Sequence, residues 1–170
     1  MKSIFLFAAL LATTFIFGQQ DKSQRPSPPA LAKETLNNGT TVTIDYSQPA
    51  VKGRMIGEDL EPMPGKVWRT GANEATVFEV DKEVKIEGQL LPAGKYGLFT
   101  IMDGDDWTII FNKTWNQWGA FSYKDADDIL RVKVKSTKAP QFAERMTFII
   151  SKEGKVSLLW GNIEVDFEVE

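Results

Sequence analysis

Val42, Ile44 and Tyr46 alternate with Thr41, Thr43 and Asp45 just after Gly39. A period of two sends one set of side chains to a buried face and the other to water, which predicts a half-buried strand. Further strands are predicted at Thr76–Val80, Val84–Ile86, Tyr96–Met102 and Trp107–Phe111. Asp103-Gly-Asp-Asp106 joins the last two, and Asp-Gly tolerates the positive φ of a tight hairpin turn. Met146–Ile150 and Val156–Trp160 flank a turn at Lys152-Glu-Gly154. Leu130, Val132 and Val134 alternate with Arg131, Lys133 and Lys135, while Ile163, Val165, Phe167 and Val169 alternate with Glu164, Asp166, Glu168 and Glu170. Opposite charges facing each other across a strand pair are mildly favourable, so these two strands are expected to be neighbours.

No segment sustains a helical period. Residues 29–36 and 122–129 are each compatible with a turn or two of helix. Short strands separated by turns every ~8–12 residues predict an all-β fold. One apolar face per strand favours two packed sheets, an antiparallel β-sandwich (jelly-roll-like or Ig-like) with little helix. A chain of 170 residues suits one domain. We place it at 39–170, behind a polar, proline-containing lead at 19–38 that includes Pro26, Pro28 and Pro29. Gln19 to about Pro29 reads as a disordered tether.

Residues 1–18 are of another kind. Lys2 precedes an apolar run from Ile4 to Phe17, broken only by Thr13 and Thr14, and Gly18 offers a small residue for cleavage. This is the layout of a secretory signal peptide. The run is short of the ~20 residues of a membrane-spanning helix. Export to the periplasm or the exterior is therefore expected.

Charge and composition narrow the chemistry. With 20 basic and 23 acidic residues the net charge is −3; removing 1–18 takes away one lysine and gives −4. Such a surface has no general attraction for phosphate backbones, so nucleic acid is not an expected partner. There is no histidine and no cysteine. Zinc, copper and most iron sites lose their usual ligands, and cysteine- or histidine-dependent nucleophiles are ruled out. We expect no cofactor and no metal. The oxygen-only clusters Asp103/Asp105/Asp106 and Asp125/Asp127/Asp128 would suit calcium, but the Asp103 turn lacks the distal glutamate of an EF-hand loop and hairpin turns use aspartate in any case.

Between Gly57 and Gly71 the strand pattern disappears under Gly57, Pro62, Pro64, Gly65 and Gly71. Irregular loops beyond ~12–15 residues are uncommon in compact domains and often functional. The segment Lys66-Val-Trp-Arg-Thr-Gly-Ala-Asn-Glu-Ala-Thr76 ends this loop and gathers candidate polar groups. Arg69 could clamp an anion with Asn73 hydrogen-bonding beside it, and Glu74 could serve as a general base. The bland alternative is an Arg69–Glu74 pair that staples the loop over Trp68. Lys66 and Arg54, with Lys52, would make a local basic patch on an acidic protein. Trp107 and Trp160 sit in strand patterns and belong to the core. Trp115, Trp118 and Tyr123 lie in irregular chain, where they could line a pocket or stack on a sugar.

Several long runs resemble one family: Tyr46-Ser-Gln-Pro-Ala-Val-Lys-Gly-Arg54, Gly65–Thr76, Leu91-Pro-Ala-Gly-Lys-Tyr-Gly-Leu-Phe-Thr100, Trp107–Lys113, Trp118–Tyr123 and Asp128–Val134. Together, over roughly residues 40 to 165, the chain is similar to domain-of-unknown-function family 2911, found mainly in exported proteins of Bacteroidetes-type bacteria. Ile56-Gly-Glu-Asp-Leu60 stands where that family tends to carry an aromatic-glycine run, so the loop tip is expected to differ. The resemblance implies a signal peptide and a β-rich domain and brings no activity, substrate or catalytic residue.

Taken together, the residues suggest an exported, non-catalytic module that binds a small anionic or carbohydrate ligand, or a partner. Two alternatives stand beside it: a carbohydrate-active hydrolase or lyase using Glu74 and a second carboxylate ~5–10 Å away, and a purely structural envelope module.

Overall fold

The computed structural model describes residues 21–170, so the expected signal peptide, 1–18, lies outside the described residues. Ten strands follow a short 3-10 turn at Lys22–Gln24. They are β1 (Pro29–Thr35), β2 (Thr41–Ser47), β3 (Val67–Trp68), β4 (Thr76–Val80), β5 (Val84–Ile86), β6 (Gln89–Leu91), β7 (Gly94–Asp103), β8 (Asp106–Asn112), β9 (Asp128–Ile150) and β10 (Lys155–Glu168). The pairings are antiparallel and the sheet order is β1-β2-β4-β7-β8-β9-β10, with β3 also on β7 and β5-β6 a separate hairpin. The sheets curl into a half-barrel, in keeping with an all-β, sandwich-like domain.

The curl comes from β9. Its first part, Asp128–Lys135, pairs with β8, while the part from Ser136 onward pairs with β10. One 23-residue strand thus serves both layers. Register shifts around Gly161, which sits at φ 60°, bend the β9-β10 ribbon over the sheet. Two seams hold it there. The Ala50–Arg145 bridge ties the chain after β2 to β9, and the Ile86–Val169 bridge ties β5 to the chain end.

Between the layers lies one core, with Phe78 edge-on to Phe111 at 5.0 Å and Phe167 within 6.2 Å of both. Trp107 and Trp160 are buried here, as their strand positions imply. Burying each such ring contributes roughly 1.5–3 kcal/mol. A smaller cluster of Ala75, Phe99 and Ile110 covers the outer face of β7 and β8.

Two expectations need correction and a third holds in part. Residues 29–35 form strand β1, so regular structure starts ahead of Gly39 and the reading of 29–36 as helix fails. Residues 21–28 are packed against the domain: the Asn73 amide donates to the Ser27 carbonyl and Arg145 donates to that of Pro26. The basic run Leu130–Val134 lies on β9 and the acidic run on β10, and these strands are neighbours as expected. The paired residues, however, are Ser136–Lys138 with Ile163–Val165, while Leu130–Val134 faces β8, so the two charged runs do not oppose each other. Lys135 pairs with Asp106 instead, and Lys155 pairs with Asp166 within its own strand.

Candidate functional site

Trp68 fixes the end of the long loop. Its indole is buried and Nε1 donates to the Gly71 carbonyl at 3.1 Å. Arg69 Nε donates to the same oxygen at 3.3 Å. The chain then reverses through Thr70 and Asn73, at φ 52° and 60°. Asparagine visits this left-handed region readily, whereas a β-branched threonine there is strained. Buried Thr70 is held by a hydrogen bond from its hydroxyl to that of Thr100 and by Thr76 Oγ1 donating to its carbonyl at 2.7 Å. Beyond the reversal, Asn73–Ala75 lies antiparallel to Gln117–Gly119: Ala75 N donates to the Gln117 carbonyl and Gly119 N to that of Asn73. Gly119 is at φ 61°, and a β-carbon on it would come within 2.7 Å of Arg69 Nη1. A glycine is therefore needed for the guanidinium to lie where it does.

This geometry sends Arg69 and Glu74 to different clefts. Arg69 and Arg54 line one of about 270 Å³, with Asp59, Glu61, Met63 and Trp160. Glu74 lines another of about 180 Å³, with Lys22, Asp45, Trp115 and Asn116. The expected Arg69–Glu74 staple is absent. Glu74 instead accepts from Arg25 at 2.8 Å and Lys22 at 3.1 Å. Arg25 also lies 5.8 Å over the half-exposed Trp118 ring. Burial pushes the Glu74 carboxyl up, but a backbone hydrogen bond and the two cations outweigh it and leave the pKa below the usual glutamate value.

Arg69 is in a different electrostatic situation. Burial lowers its pKa from the ordinary arginine value, and the charge of Glu61 opposes this. Among the described residues no carboxylate forms an ion pair with it. Arg54 is anchored through Nε and Nη2 to the carbonyls of Val51 and Ala50, at 3.1 and 2.6 Å.

The other candidates separate. Lys66 is exposed and lines neither cleft. Asn73 spends its amide on the lead. Tyr123 packs edge-on against Phe99 at 5.0 Å, on the outer cluster. Its hydroxyl donates to Asp128 Oδ2 at 2.8 Å and accepts from Arg131 at 2.9 Å. Burial and the Asp128 carboxylate push its pKa up to about 12. Of the acid clusters, Asp106, Asp127 and Asp128 are taken by Lys135, Lys113 and Arg131.

Sequence reasoning did not pick out Lys22, Arg25, Asp59 or Glu61. Two cations in the lead of an acidic chain were a visible signal. Nothing local says that they return to residue 74.

Among the described residues no helix is long and apolar enough to cross a membrane. No curated protein and no solved structure matches this chain. Residues 27–169 match the model of a family described as protein of unknown function (DUF2911), and the chain belongs to that family.

Proposed function

We propose that this protein is an exported, non-catalytic module that binds a small anionic ligand in the cleft lined by Arg54 and Arg69. The observation that carries the reading is Arg69: a half-buried guanidinium with no carboxylate partner among the described residues, lining a cleft. Withdrawing a guanidinium from water costs free energy that a bound carboxylate returns through charge-assisted hydrogen bonds. Trp68 and the Gly71 carbonyl hold it in place, so little ordering remains for the ligand to impose.

Calorimetric titration of small carboxylates into the wild type and into Arg69→Ala tests this. Binding to the wild type and at least about a tenfold loss in the variant are expected. Equal binding by both would remove the cleft from the account. Export is tested by the N-terminal residue of the mature chain, expected near Gln19.

The hydrolase or lyase reading has one observation in its favour: Asp45 and Glu74 share the smaller cleft with Trp115. Against it, Lys22 and Arg25 occupy the Glu74 carboxylate and its pKa lies below the usual glutamate value, which makes it a weak general base.

A further inference from the structure

Four charged side chains line the larger cleft: Arg54, Asp59, Glu61 and Arg69. Among the described residues none of them forms an ion pair, with each other or with any other group. Opposite charges around one small volume would ordinarily close on each other. Here the backbone holds each one back. Asp59 Oδ1 accepts from Met55 N at 2.6 Å, and Glu61 Oε2 accepts from Met63 N at 2.8 Å. The Glu61 carbonyl is tied in turn to Trp160 Nε1 at 2.8 Å. Arg54 and Arg69 are fixed on the carbonyls of Val51, Ala50 and Gly71. Among the described residues, one oxygen of each carboxylate and the Nη1 group of each guanidinium have no hydrogen-bond partner.

We infer that the ligand is a small zwitterion with an apolar group, an α-amino acid or a short peptide. The inference rests on the anion-binding reading above and names the ligand's chemistry. A simple anion would meet Arg54 and Arg69 but would also be repelled by Asp59 and Glu61. A zwitterion places its carboxylate on the arginines and its ammonium on the acids, so both pairs are satisfied at once. Leu60, Met63 and Trp160 line the same cleft and suit an aliphatic side chain.

The experiment is calorimetry on the mature chain at low salt with four probes: L-leucine, L-leucyl-L-leucine, isocaproate and isoamylamine. One of the two zwitterions should bind at least about tenfold more tightly than isocaproate or isoamylamine. Glu61→Gln should erase that advantage while leaving isocaproate binding no weaker. Arg69→Gln should weaken the zwitterion and isocaproate together. Leucine against the dipeptide separates a free amino acid from a peptide. Isocaproate binding as tightly as both zwitterions would overturn the inference and leave the anion reading standing. Failure of all four probes would overturn both.

Discussion

Arg25 Nη1 reaches both carboxylate oxygens of Glu74, at 2.8 and 3.1 Å, across 49 positions of sequence. This contact, with Lys22 on the same carboxylate, turns the proline-containing lead into a strap over the loop between β3 and β4. Exposed ion pairs of this kind contribute about 0.2–1 kcal/mol. Glu74→Gln should therefore barely move the melting temperature yet speed amide exchange selectively at residues 21–28. Exchange that stays unchanged there would mean that Asn73 and Arg145 alone hold the lead.

The same pair sets an acid limit on the strap. The Glu74 pKa is depressed in the folded protein, so the fold binds this proton less readily than the unfolded chain. The stabilisation is complete above the unfolded value of about 4.3 and is lost as pH falls through the folded one. Arg25 should then leave Trp118, and the part of the emission removed by Trp118→Phe should change below about pH 4. A flat signal down to global unfolding would contradict this.

Tyr123 gives the opposite limit. Its folded pKa of about 12 exceeds the unfolded value of about 10, so between these the fold holds a proton that the unfolded chain has released. Stability supplied by this group is full below about pH 10 and falls as pH rises towards 12. Tyr123→Phe should lose about 0.5–1.5 kcal/mol at neutral pH, flatten the alkaline loss of stability and leave carboxylate binding untouched. Chemical denaturation across pH checks the first two outcomes and calorimetry the third.

Gly119→Ala combines two penalties. A left-handed backbone costs a residue with a β-carbon about 1–2 kcal/mol, and the new methyl displaces the Arg69 guanidinium. Both stability and carboxylate affinity should fall. Loss of stability with affinity intact would show that Arg69 finds another route to the cleft.

Much of the fold could be read from period-two patterns, because β2, β4 and the ends of β9 and β10 each bury one face. Strand β1 escaped because it is an edge strand behind Pro28 and Pro29, and its inward set is only Ala30, Ala32 and Glu34. Strands β9 and β10 are neighbours, as their charge patterns suggested, but the charged runs do not face each other because β9 changes partners midway, which no local charge pattern encodes. At the site, Arg54 and Arg69 stood out as basic residues on an acidic chain, and both line the larger cleft. Asp59 and Glu61 lie in the same irregular loop, where nothing local distinguishes them from ordinary solvated charge. The pocket role suggested for Tyr123 overlooked Asp128, five residues on, which takes its hydroxyl.

The most direct measurement follows the arginine Nε–H resonances by NMR during titration with isocaproate, with Arg54→Lys and Arg69→Lys providing assignments. Arg54 and Arg69 should shift together and saturably while Arg25, on Glu74, stays still. Movement of Arg25 and the Trp115 indole, with Arg54 and Arg69 unmoved, would contradict the anion-binding reading.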